Sequence, residues 1–545
     1  MKIKRLAISI ISAILLVSLV IIFTNIDKSV VPSEPDVVVE PTEDVTVEPE
    51  VLGGTKVSAT CSNTDISSAI TAASNGDTVV VPAGDCTWTA DITVASSKKI
   101  TLQGAGIGKT NITLNANVQL ILTASGIVVN ITGFSFTASG KATGDPWITL
   151  KGNQGWRIYR NSFANTNSVN NIAILINYGT ALPHATGVID HNTFTNARIY
   201  HQGDTRIGTT PGTGISGSDE WARATNWGED RRVFIEDNTM VYSFAQGNCF
   251  DQQYGARTTI RFNTITGCPL EIHGATNGRS TRSVEAYYND WVGTGNNPNA
   301  PGALFARGGT NIIFGNKFVT GYGATSIVID DERGGTNNSS NGVIWTTCDG
   351  TNDLDHNFGI DASAGYPCRD QMGRGVDAFE FDPAVPPFAT QATETVPFFL
   401  NRTAGVQTTI TRSNGSADFL DDCVDFQNED STFDGTCGTG VGNTLAEAPA
   451  TCTSGFTPVY YWATKEGQWN SGTNPIYGGQ GRLYKCTATN TWTLYYTPYM
   501  YPHPLTHVAN AAVQGGTMEI KGATIHLKSS YLPPFMKPEP LSLTT

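Results

Sequence analysis

The stretch FNTITGCPLEIHGATNGRSTRSVEAYYNDWV, residues 262–292, contains one short element twice, an Asn followed at the second position by a hydrophobic residue. The element recurs along the chain, as Asn161-Ser-Phe163, Asn192-Thr-Phe194, Asn238-Thr-Met240, Asn263-Thr-Ile265, Asn289-Asp-Trp291 and Asn316-Lys-Phe318. Successive copies are 31, 46, 25, 26 and 27 residues apart. A period of about 25 residues with short β-rich runs and no helices between them is typical of a solenoid with one coil per repeat. The pattern predicts an all-β parallel β-helix.

The Asn of each copy falls at a predicted corner, where it can bond backbone groups and stack on the Asn of the next coil. The interval of 46 residues contains an insertion at 198–232, rich in Gly, Thr, Asp and Trp. A leucine-rich horseshoe requires a Leu framework that is missing here, and a propeller requires about 40 residues per blade.

A short amphipathic helix precedes the first coil, with Ile66, Ala69, Ile70 and Ala73 on one face and Thr64 or Asp65 as its cap. GDTVVVPAG follows at residues 76–84 and is typical of a short buried strand. A solenoid needs such a cap because its first coil otherwise exposes apolar side chains and unpaired strand edges.

The cap helix, GDTVVVPAG and the Asn-x-Phe coils resemble right-handed parallel β-helix proteins of the pectate-lyase-like superfamily, over roughly residues 55–340. YPCRDQMGRG (366–375) and TPYMYPHPL (497–505) resemble segments of exported bacterial β-helix proteins whose activity is not firmly assigned. The resemblance implies the fold, but one fold supports many activities.

The ends of the chain have other compositions. Basic residues followed by an apolar run, Leu6–Phe23, indicate export by a signal peptide or by an uncleaved anchor in the membrane. The expected organisation is a signal peptide or anchor at 1–30, an acidic Pro-rich linker at 31–54, the β-helix at 55–345, final coils with Cys-rich and aromatic-rich insertions at 346–505, and closing strands with a tail at 506–545. The predicted location is extracellular or at the cell surface.

Charge and cysteine content limit the function classes. With 34 Lys and Arg against 48 Asp and Glu, the formal charge is -14, which disfavours nucleic acid as a partner. Ten cysteines suit an oxidising compartment. The pairing with the shortest loops is Cys61–Cys86, Cys249–Cys268, Cys348–Cys368, Cys423–Cys437 and Cys452–Cys486.

A further predicted strand follows each Asn corner. When these strands are aligned on their central apolar residues, Phe250, Ile272, Phe305 and Ile329, a polar patch recurs at the ends of the strands. Its members are Asp251, Gln252, Gln253, Glu271, His273, Arg307, Asp330, Asp331, Glu332 and Arg333, with Arg257, Arg279 and Arg282 in nearby loops. Trp221 and Trp227 lie on the neighbouring insertion, either to stack on sugar rings or to pack the insertion against the body.

Two reactions suit this patch. In β-elimination from a uronate polysaccharide, His273 is the base, and Arg257, Arg279, Arg282 and Arg307 bind the carboxylate. The predicted catalytic set is His273, Arg282 and Arg307. The predicted substrate-binding set is Asp251, Gln253, Arg257, Glu271, Arg279, Asp330, Trp221 and Trp227.

Hydrolysis of the glycosidic bond is the second reaction. It requires two carboxylates, which Asp251, Glu271, Asp330 and Asp331 can supply.

The resemblance does not select one reaction. The motifs of polygalacturonase-like hydrolases are incomplete, since only Asp330-Asp331 matches. β-helix lyases often pair a Lys or Arg base with Ca²⁺ held by acidic residues, which Glu271-Ile-His273 matches only faintly. Ca²⁺ is therefore the one cofactor that the resemblance suggests.

The sequence thus predicts an exported β-helix protein that engages an extracellular polysaccharide, with lyase-type cleavage favoured over hydrolysis. The alternative is a non-catalytic adhesin, glycan-binding or structural surface protein, in which His273 bonds backbone and Arg307 belongs to a structural ladder. The enzyme hypothesis predicts that five residues converge in an open groove: Asp251, His273, Arg279, Arg282 and Arg307. The hypothesis of a glycan-binding or structural protein predicts that these residues are separated, buried or paired with one another.

Overall fold

A computed structural model gives the fold. The chain divides into two units, residues 1–51 and 52–545, and all described residues belong to the second. The described residues are 53–95, 97–123, 129–152, 154–166, 171–177, 185–203, 225–243, 247–274, 280–293, 302–319, 326–330, 372–375, 392–412, 420–453, 458–471, 480–506, 517–520 and 523–526. The predicted signal segment and most of the linker lie outside them.

Three long sheets form the body, and successive strands of the chain pass from the first sheet to the second and then the third. The first sheet contains β1 (Thr55–Val57), β2 (Thr78–Val81), β5 (Thr101–Gly104), β8 (Asn130–Thr132), β11 (Gln154–Tyr159), β14 (Thr186–Asp190), β17 (Val233–Glu236), β20 (Arg257–Arg261), β23 (Ser283–Tyr287), β26 (Thr310–Phe314), β29 (Val396–Phe399) and β33 (Phe426–Asn428).

The second and third sheets continue each coil. The second contains β3 (Gly84–Trp88), β6 (Thr110–Leu114), β9 (Ser135–Ala138), β12 (Ser162–Ala164), β15 (Thr193–Thr195), β18 (Thr239–Val241), β21 (Thr264–Thr266), β24 (Asp290–Val292), β27 (Lys317–Val319), β30 (Arg402–Thr403) and β31 (Val406–Gln407). The third contains β4 (Ile92–Val94), β7 (Leu120–Thr123), β10 (Pro146–Lys151), β13 (Asn171–Asn177), β16 (Ala197–Gln202), β19 (Phe250–Gln253), β22 (Leu270–Ile272), β25 (Leu304–Ala306), β28 (Ile327–Ile329) and β32 (Ile410–Arg412).

Neighbouring strands in these sheets are parallel, apart from the β30–β31 pair. A chain that returns to the same three sheets once per coil is a parallel β-helix. The predicted fold class is therefore confirmed, and coils continue beyond residue 345 through β29 to β33.

The predicted asparagine ladder occupies the corner between the first and second sheets. In each step an Asn side chain accepts from the backbone N–H of the preceding Asn, and its Nδ2 donates to backbone carbonyls. For Asn263 these are the carbonyls of Ile235 and Arg261, at 2.9 and 3.0 Å, and its Nδ2 also donates to Oδ1 of Asn289 at 3.0 Å. The described ladder runs through Asn161, Asn192, Asn238, Asn263, Asn289, Asn316 and Asn401.

The residue before each ladder Asn has a positive φ, which turns the chain sharply into the second sheet. These residues are Arg160, His191, Asp237, Phe262, Tyr288, Gly315 and Leu400, with φ between 53° and 65°. One coil earlier, Phe134 takes the corner position, and its backbone N–H donates to Oδ1 of Asn161 at 3.1 Å. The local conformation and the ladder thus reinforce each other at every corner.

Inward side chains of successive coils stack into the core. Phe136, Phe163 and Phe194 form one such column, with ring centroids 5.3 and 4.9 Å apart. The predicted cap is α1 (Asn63–Ala72), which buries Ile66 and Ile70 over the first coil. Its N-cap is Ser62, whose side chain accepts from the backbone N–H of Asp65, so the predicted cap at Thr64 or Asp65 is wrong.

Four of the predicted disulfides are present: Cys61–Cys86, Cys249–Cys268, Cys423–Cys437 and Cys452–Cys486. Cys348 and Cys368 lie outside the described residues, so their pairing stays a prediction. Cys249 and Cys268 immediately precede β19 and the β22 region, which are neighbours in the third sheet, so this bridge joins two successive coils.

After the last coil, β34 (Thr439–Gly442), β35 (Tyr460–Ala463), β36 (Arg482–Ala488) and β37 (Thr491–Tyr496) form a separate sheet. Its Trp462 lies against Phe314 and Phe399, at ring distances of 4.8 and 5.0 Å, so these aromatic residues form a second core on the outer face of the first sheet. β38 (Thr517–Ile520) pairs with β39 (Ala523–His526).

The segment 497–506 continues along the same outer face. Arg261 donates to the carbonyls of Tyr499 and Met500, and Arg157 donates to that of Thr506 at 3.0 Å. The first sheet is therefore covered by the chain itself. Of the helices in the described part of the chain, none is long and apolar enough to cross a membrane; the apolar run at 6–23 is not in that part.

Candidate functional site

The register of the third sheet decides which polar residues meet. Phe250 is aligned with Leu270, Leu304 and Ile327, so the predicted column of Phe250, Ile272, Phe305 and Ile329 is wrong. Leu270 and Ile272 are both buried at alternate positions of β22, and apolar character alone therefore could not distinguish them. Phe305 is half-buried at the position between two buried residues of β25, where it faces outward.

Outward positions of β19 and β22 place two carboxylates side by side, because Asp251 is aligned with Glu271. His273 follows β22, and its Nε2 lies 3.1 Å from Oδ1 of Asp251 and 3.2 Å from Oε1 of Glu271. Arg307 follows β25, and its Nη2 contacts Glu271 and lies 3.1 Å from Nδ1 of His273. We name Asp251, Glu271, His273 and Arg307 the His273 cluster.

The contacts of His273 define its proton arrangement. A guanidinium group only donates hydrogen bonds, so Nδ1, which faces Arg307, is an acceptor. The proton of the neutral ring is then on Nε2, where it faces the carboxylates of Asp251 and Glu271. The cluster holds an imidazole whose basic nitrogen is covered by an arginine.

The pKa of Asp251 reflects this setting. Burial by itself raises the pKa of its carboxyl group, but His273 and the guanidinium of Arg198 hold it below its ordinary value. Arg198 reaches Asp251 from β16, with Nη1 2.8 Å from Oδ2. Two carboxylates and two guanidinium groups therefore balance one another around the ring.

Two tyrosines border the cluster. Tyr200, on β16, donates to Oε1 of Gln253 at 2.7 Å. Burial, and then the negative charge of Asp251, raise its pKa to about 12. Burial also raises the pKa of Tyr254. Both hydroxyl groups are therefore protonated at neutral pH.

Sequence reasoning missed Arg198 and Tyr200 because they lie inside the predicted insertion at 198–232. Their signal is the alternation in ARIYHQ, residues 197–202, where buried Ala197, Ile199 and His201 separate partly exposed neighbours. The insertion therefore begins after β16.

Other predicted site residues contact different partners. Arg282 lies close to Thr310 and Glu394, at 2.9 and 3.3 Å, on the first sheet. Arg257 is buried and donates to the carbonyl of Gly255 at 3.1 Å. These contacts place neither guanidinium in the His273 cluster, so their predicted roles stay predictions.

Asp330 and Trp227 differ in their relation to the cluster. Asp330 is buried just after β28, and its backbone N–H bonds the carbonyl of Ala306, next to Arg307. Trp227 packs against Tyr496 and Arg232, which agrees with its packing role rather than a sugar-stacking role. Trp221, Arg279, Asp331, Glu332 and Arg333 lie outside the described residues.

Asp251, Glu271 and His273 also form a possible metal-binding group, with one ligand atom each within 4.8 Å of one another. Ca²⁺ prefers six to eight oxygen ligands, whereas an imidazole suits Zn²⁺ and other transition metals better. Arg307 already supplies positive charge to Glu271. The donor set therefore does not fit Ca²⁺ well, and we derive no step through a metal.

No protein-family model matches the chain, and no curated protein matches it. One similar solved structure is a mannuronic acid specific polysaccharide family 6 lyase from human gut microbiota, with 12% identity and a TM-score of 0.37 over 71% of this chain and 86% of that one. Another is a mutant of a PL6 family alginate lyase, with 11% identity and a TM-score of 0.28 over 71% and 70%. These values describe distant similarity and assign no activity.

Proposed function

We propose that this protein binds an acidic extracellular polysaccharide on the outer face of the third sheet and cleaves it by β-elimination at the His273 cluster. The observation that carries the proposal is the placement of one imidazole between two carboxylates and a guanidinium, 3.1 to 3.2 Å from each. This arrangement suits proton abstraction next to a carboxyl group, since base, orienting acids and anion-binding group are adjacent.

The shape of the face suits a polymer. The polar groups lie on consecutive strands from β16 to β28, and neighbouring strands are about 4.8 Å apart, so the face extends over roughly 19 Å. Arg198 and Arg307 are side chains that can bind the carboxylates of a uronate chain in a bidentate manner.

The mechanism begins from the state in which Nδ1 of His273 is paired with Arg307. A substrate carboxylate attracts Arg307 away from Nδ1 of His273, which exposes the lone pair. Nδ1 then takes the proton from the carbon next to the carboxyl group, while Asp251 and Glu271 hold the Nε2 proton and stabilise the imidazolium. The carbon–oxygen bond to the neighbouring sugar breaks as the double bond forms. Tyr200 or Tyr254 donates a proton to the leaving oxygen.

The test uses the purified full-length protein with uronate polysaccharides and neutral polysaccharides. Unsaturated product is followed by ultraviolet absorbance and chain cleavage by reducing ends. We expect unsaturated product from a uronate polymer, and its loss in His273→Ala. Thr266→Ala, on the outer face of the second sheet, is the control and should retain activity. Full activity in His273→Ala contradicts the assignment.

A non-catalytic glycan-binding protein is the second candidate. This candidate is favoured because the side chains of the His273 cluster pair with one another and are only 6 to 16% exposed. In that case uronate polymers bind, Arg307→Gln weakens the binding, and no unsaturated product forms.

Export is part of the same proposal and is supported by the four disulfides, since such bonds persist in oxidising compartments. Fractionation of the producing cells and N-terminal sequencing test it. Full-length chain in the membrane fraction indicates an anchor, a shortened chain outside indicates a cleaved signal peptide, and a cytoplasmic chain contradicts export.

A further inference from the structure

A cavity lies away from the His273 cluster, where the last coil meets the C-terminal sheet. It has a volume of ≈ 550 Å³, within the size range of small-molecule sites. We name it the C-terminal cleft. It is lined by Leu400, Arg402, Glu429, Asp430, Ser431, Phe433, Gly440, Val441, Gly442, Glu447, Pro449 and Tyr461.

One part of the cleft wall is apolar. Phe433 and Pro449 are half-buried and line the cavity together with Tyr461, whose ring centroid lies 6.4 Å from that of Phe433. Gly440 lets these rings approach β34, because a Cβ atom there would overlap the Phe433 ring. A half-buried aromatic ring that lines a cavity can pack against the C–H surface of a sugar.

The other part is polar and held in place by its own contacts. Glu429 makes two hydrogen bonds of 2.8 Å with Arg402. Oδ1 of Asp430 accepts from the backbone N–H of Thr432 at 2.7 Å, and Oε2 of Glu447 accepts from that of Asn443 at 2.9 Å. The second oxygen of each carboxylate accepts at most one of these bonds and can accept another: Oε1 of Glu429, Oδ2 of Asp430 and Oε1 of Glu447. The wall therefore offers oriented acceptors for the hydroxyl groups of a ligand.

The charge of the lining selects among sugars. Three carboxylates, of Glu429, Asp430 and Glu447, face one guanidinium, of Arg402. This excess of negative charge repels a uronate, whereas hydroxyl groups donate to carboxylates readily. The His273 cluster differs in this respect, since Arg198 and Arg307 balance its two carboxylates.

We propose that the C-terminal cleft binds an uncharged sugar residue of a glycan, as a site separate from the His273 cluster. Phe433 and Pro449 pack against the ring of the sugar, and Glu429, Asp430 and Glu447 accept hydrogen bonds from its hydroxyl groups. The protein then contacts two kinds of sugar, acidic on the third sheet and neutral at the end of the β-helix.

Binding to the full-length protein is measured by isothermal titration calorimetry with three probe classes: neutral oligosaccharides in the gluco, galacto and manno series, an amino-sugar oligosaccharide, and a uronate oligosaccharide. Ser431 is exposed and lines the cleft, so Ser431→Trp fills it. We expect a neutral oligosaccharide to bind, with affinity at least tenfold weaker in Ser431→Trp. Glu447→Gln, which removes charge from an exposed acceptor, should weaken it severalfold.

Two controls separate this proposal from the proposed lyase function. Thr489→Trp adds the same side chain at an exposed turn and should bind the neutral sugar normally. His273→Ala should also bind it normally while losing uronate cleavage. The proposal is overturned if no neutral probe binds, if only the amino sugar binds, or if Ser431→Trp and Glu447→Gln, both shown to be folded by circular dichroism, bind as tightly as the wild type.

Discussion

The asparagine corners and the His273 cluster are both columns of polar side chains on successive coils, but they are built in opposite ways. The corner column repeats one residue type, is buried, and bonds mainly to backbone. The cluster combines different residue types, two of them (Glu271 and His273) on one coil, is partly exposed, and bonds mainly side chain to side chain.

The difference shows how one solenoid separates stability from chemistry. A repeated Asn satisfies the same backbone groups in every coil, so each copy supports the next. Acids, an imidazole and a guanidinium must be different residues because proton transfer needs a base, an acid and an anion-binding group together. We therefore expect corner substitutions to change stability most and cluster substitutions to change activity most.

The largest effect on stability is expected from Asn263→Leu. The change leaves the backbone N–H of Asn238 and the carbonyls of Ile235 and Arg261 without their partner. Each unsatisfied buried group costs about 1–3 kcal/mol, so the free energy of unfolding should fall by at least about 3 kcal/mol in urea titrations. Thr264→Ala, at the exposed next position, should cost less than about 0.5 kcal/mol. Equal effects contradict the structural role of the ladder.

Arg307→Met should have the next largest effect, on activity more than on stability. It removes the group expected to bind the substrate carboxylate, and formation of unsaturated product should fall by about 100-fold or more. Unfolding should become easier by only about 1–2 kcal/mol, because Glu271 keeps its contacts with His273 and Asn248. Arg231→Met, at an exposed position, is the matched control. A large stability loss without loss of product identifies Arg307 as structural.

Asp251→Asn tests the environment of the His273 cluster through the pH dependence of stability. The pKa of Asp251 lies below its ordinary value of 3.8 in the folded protein. Its ionised form therefore adds stability above that value, and the contribution is lost as the pH falls through the folded pKa. Urea unfolding should show a wild-type advantage near about pH 6 that shrinks near about pH 3.

Asp237→Asn is the control, because its effect on stability is expected to have the opposite sign. Burial, and then Glu236, raise the pKa of Asp237 to about 6, so its ionised form costs stability as the pH rises. Asp237→Asn should therefore stabilise the protein by roughly 1–3 kcal/mol at neutral pH and lose this advantage below about pH 4. The same sign for both variants contradicts the assigned environments.

The smallest effect is expected from Thr239→Val, on the outer face of the second sheet. Thr239 is exposed, and its two neighbours in register, Thr193 and Thr264, are uncharged. Stability should change by less than about 0.5 kcal/mol, and product formation should not change. Loss of product would place the reaction on the second sheet instead of the third.

Much of the fold could be predicted from the sequence because the signal is local and repeated. Six corners follow from spacing alone, since each coil returns the chain to a position above the previous coil. The four described disulfides follow from pairing each cysteine with its nearest neighbour in the sequence. The seventh corner, Asn401, was missed because 85 residues separate it from Asn316 and Thr403 replaces the hydrophobic residue.

The site was only partly predictable. Asp251, Glu271, His273 and Arg307 were correctly grouped because each lies at or just after a strand of the third sheet. Arg198, 53 residues before Asp251, was not predicted to join them. Arg282 could not be placed because its contact with Glu394 spans 112 residues.

The sequence by itself determined the β-helix, because a fixed period and an Asn that bonds backbone need only local information. The tertiary structure decided which outward side chains meet, which charges cancel, and which faces remain available. These depend on strand register and on the C-terminal chain that covers the first sheet, and both are set by contacts between residues far apart in sequence.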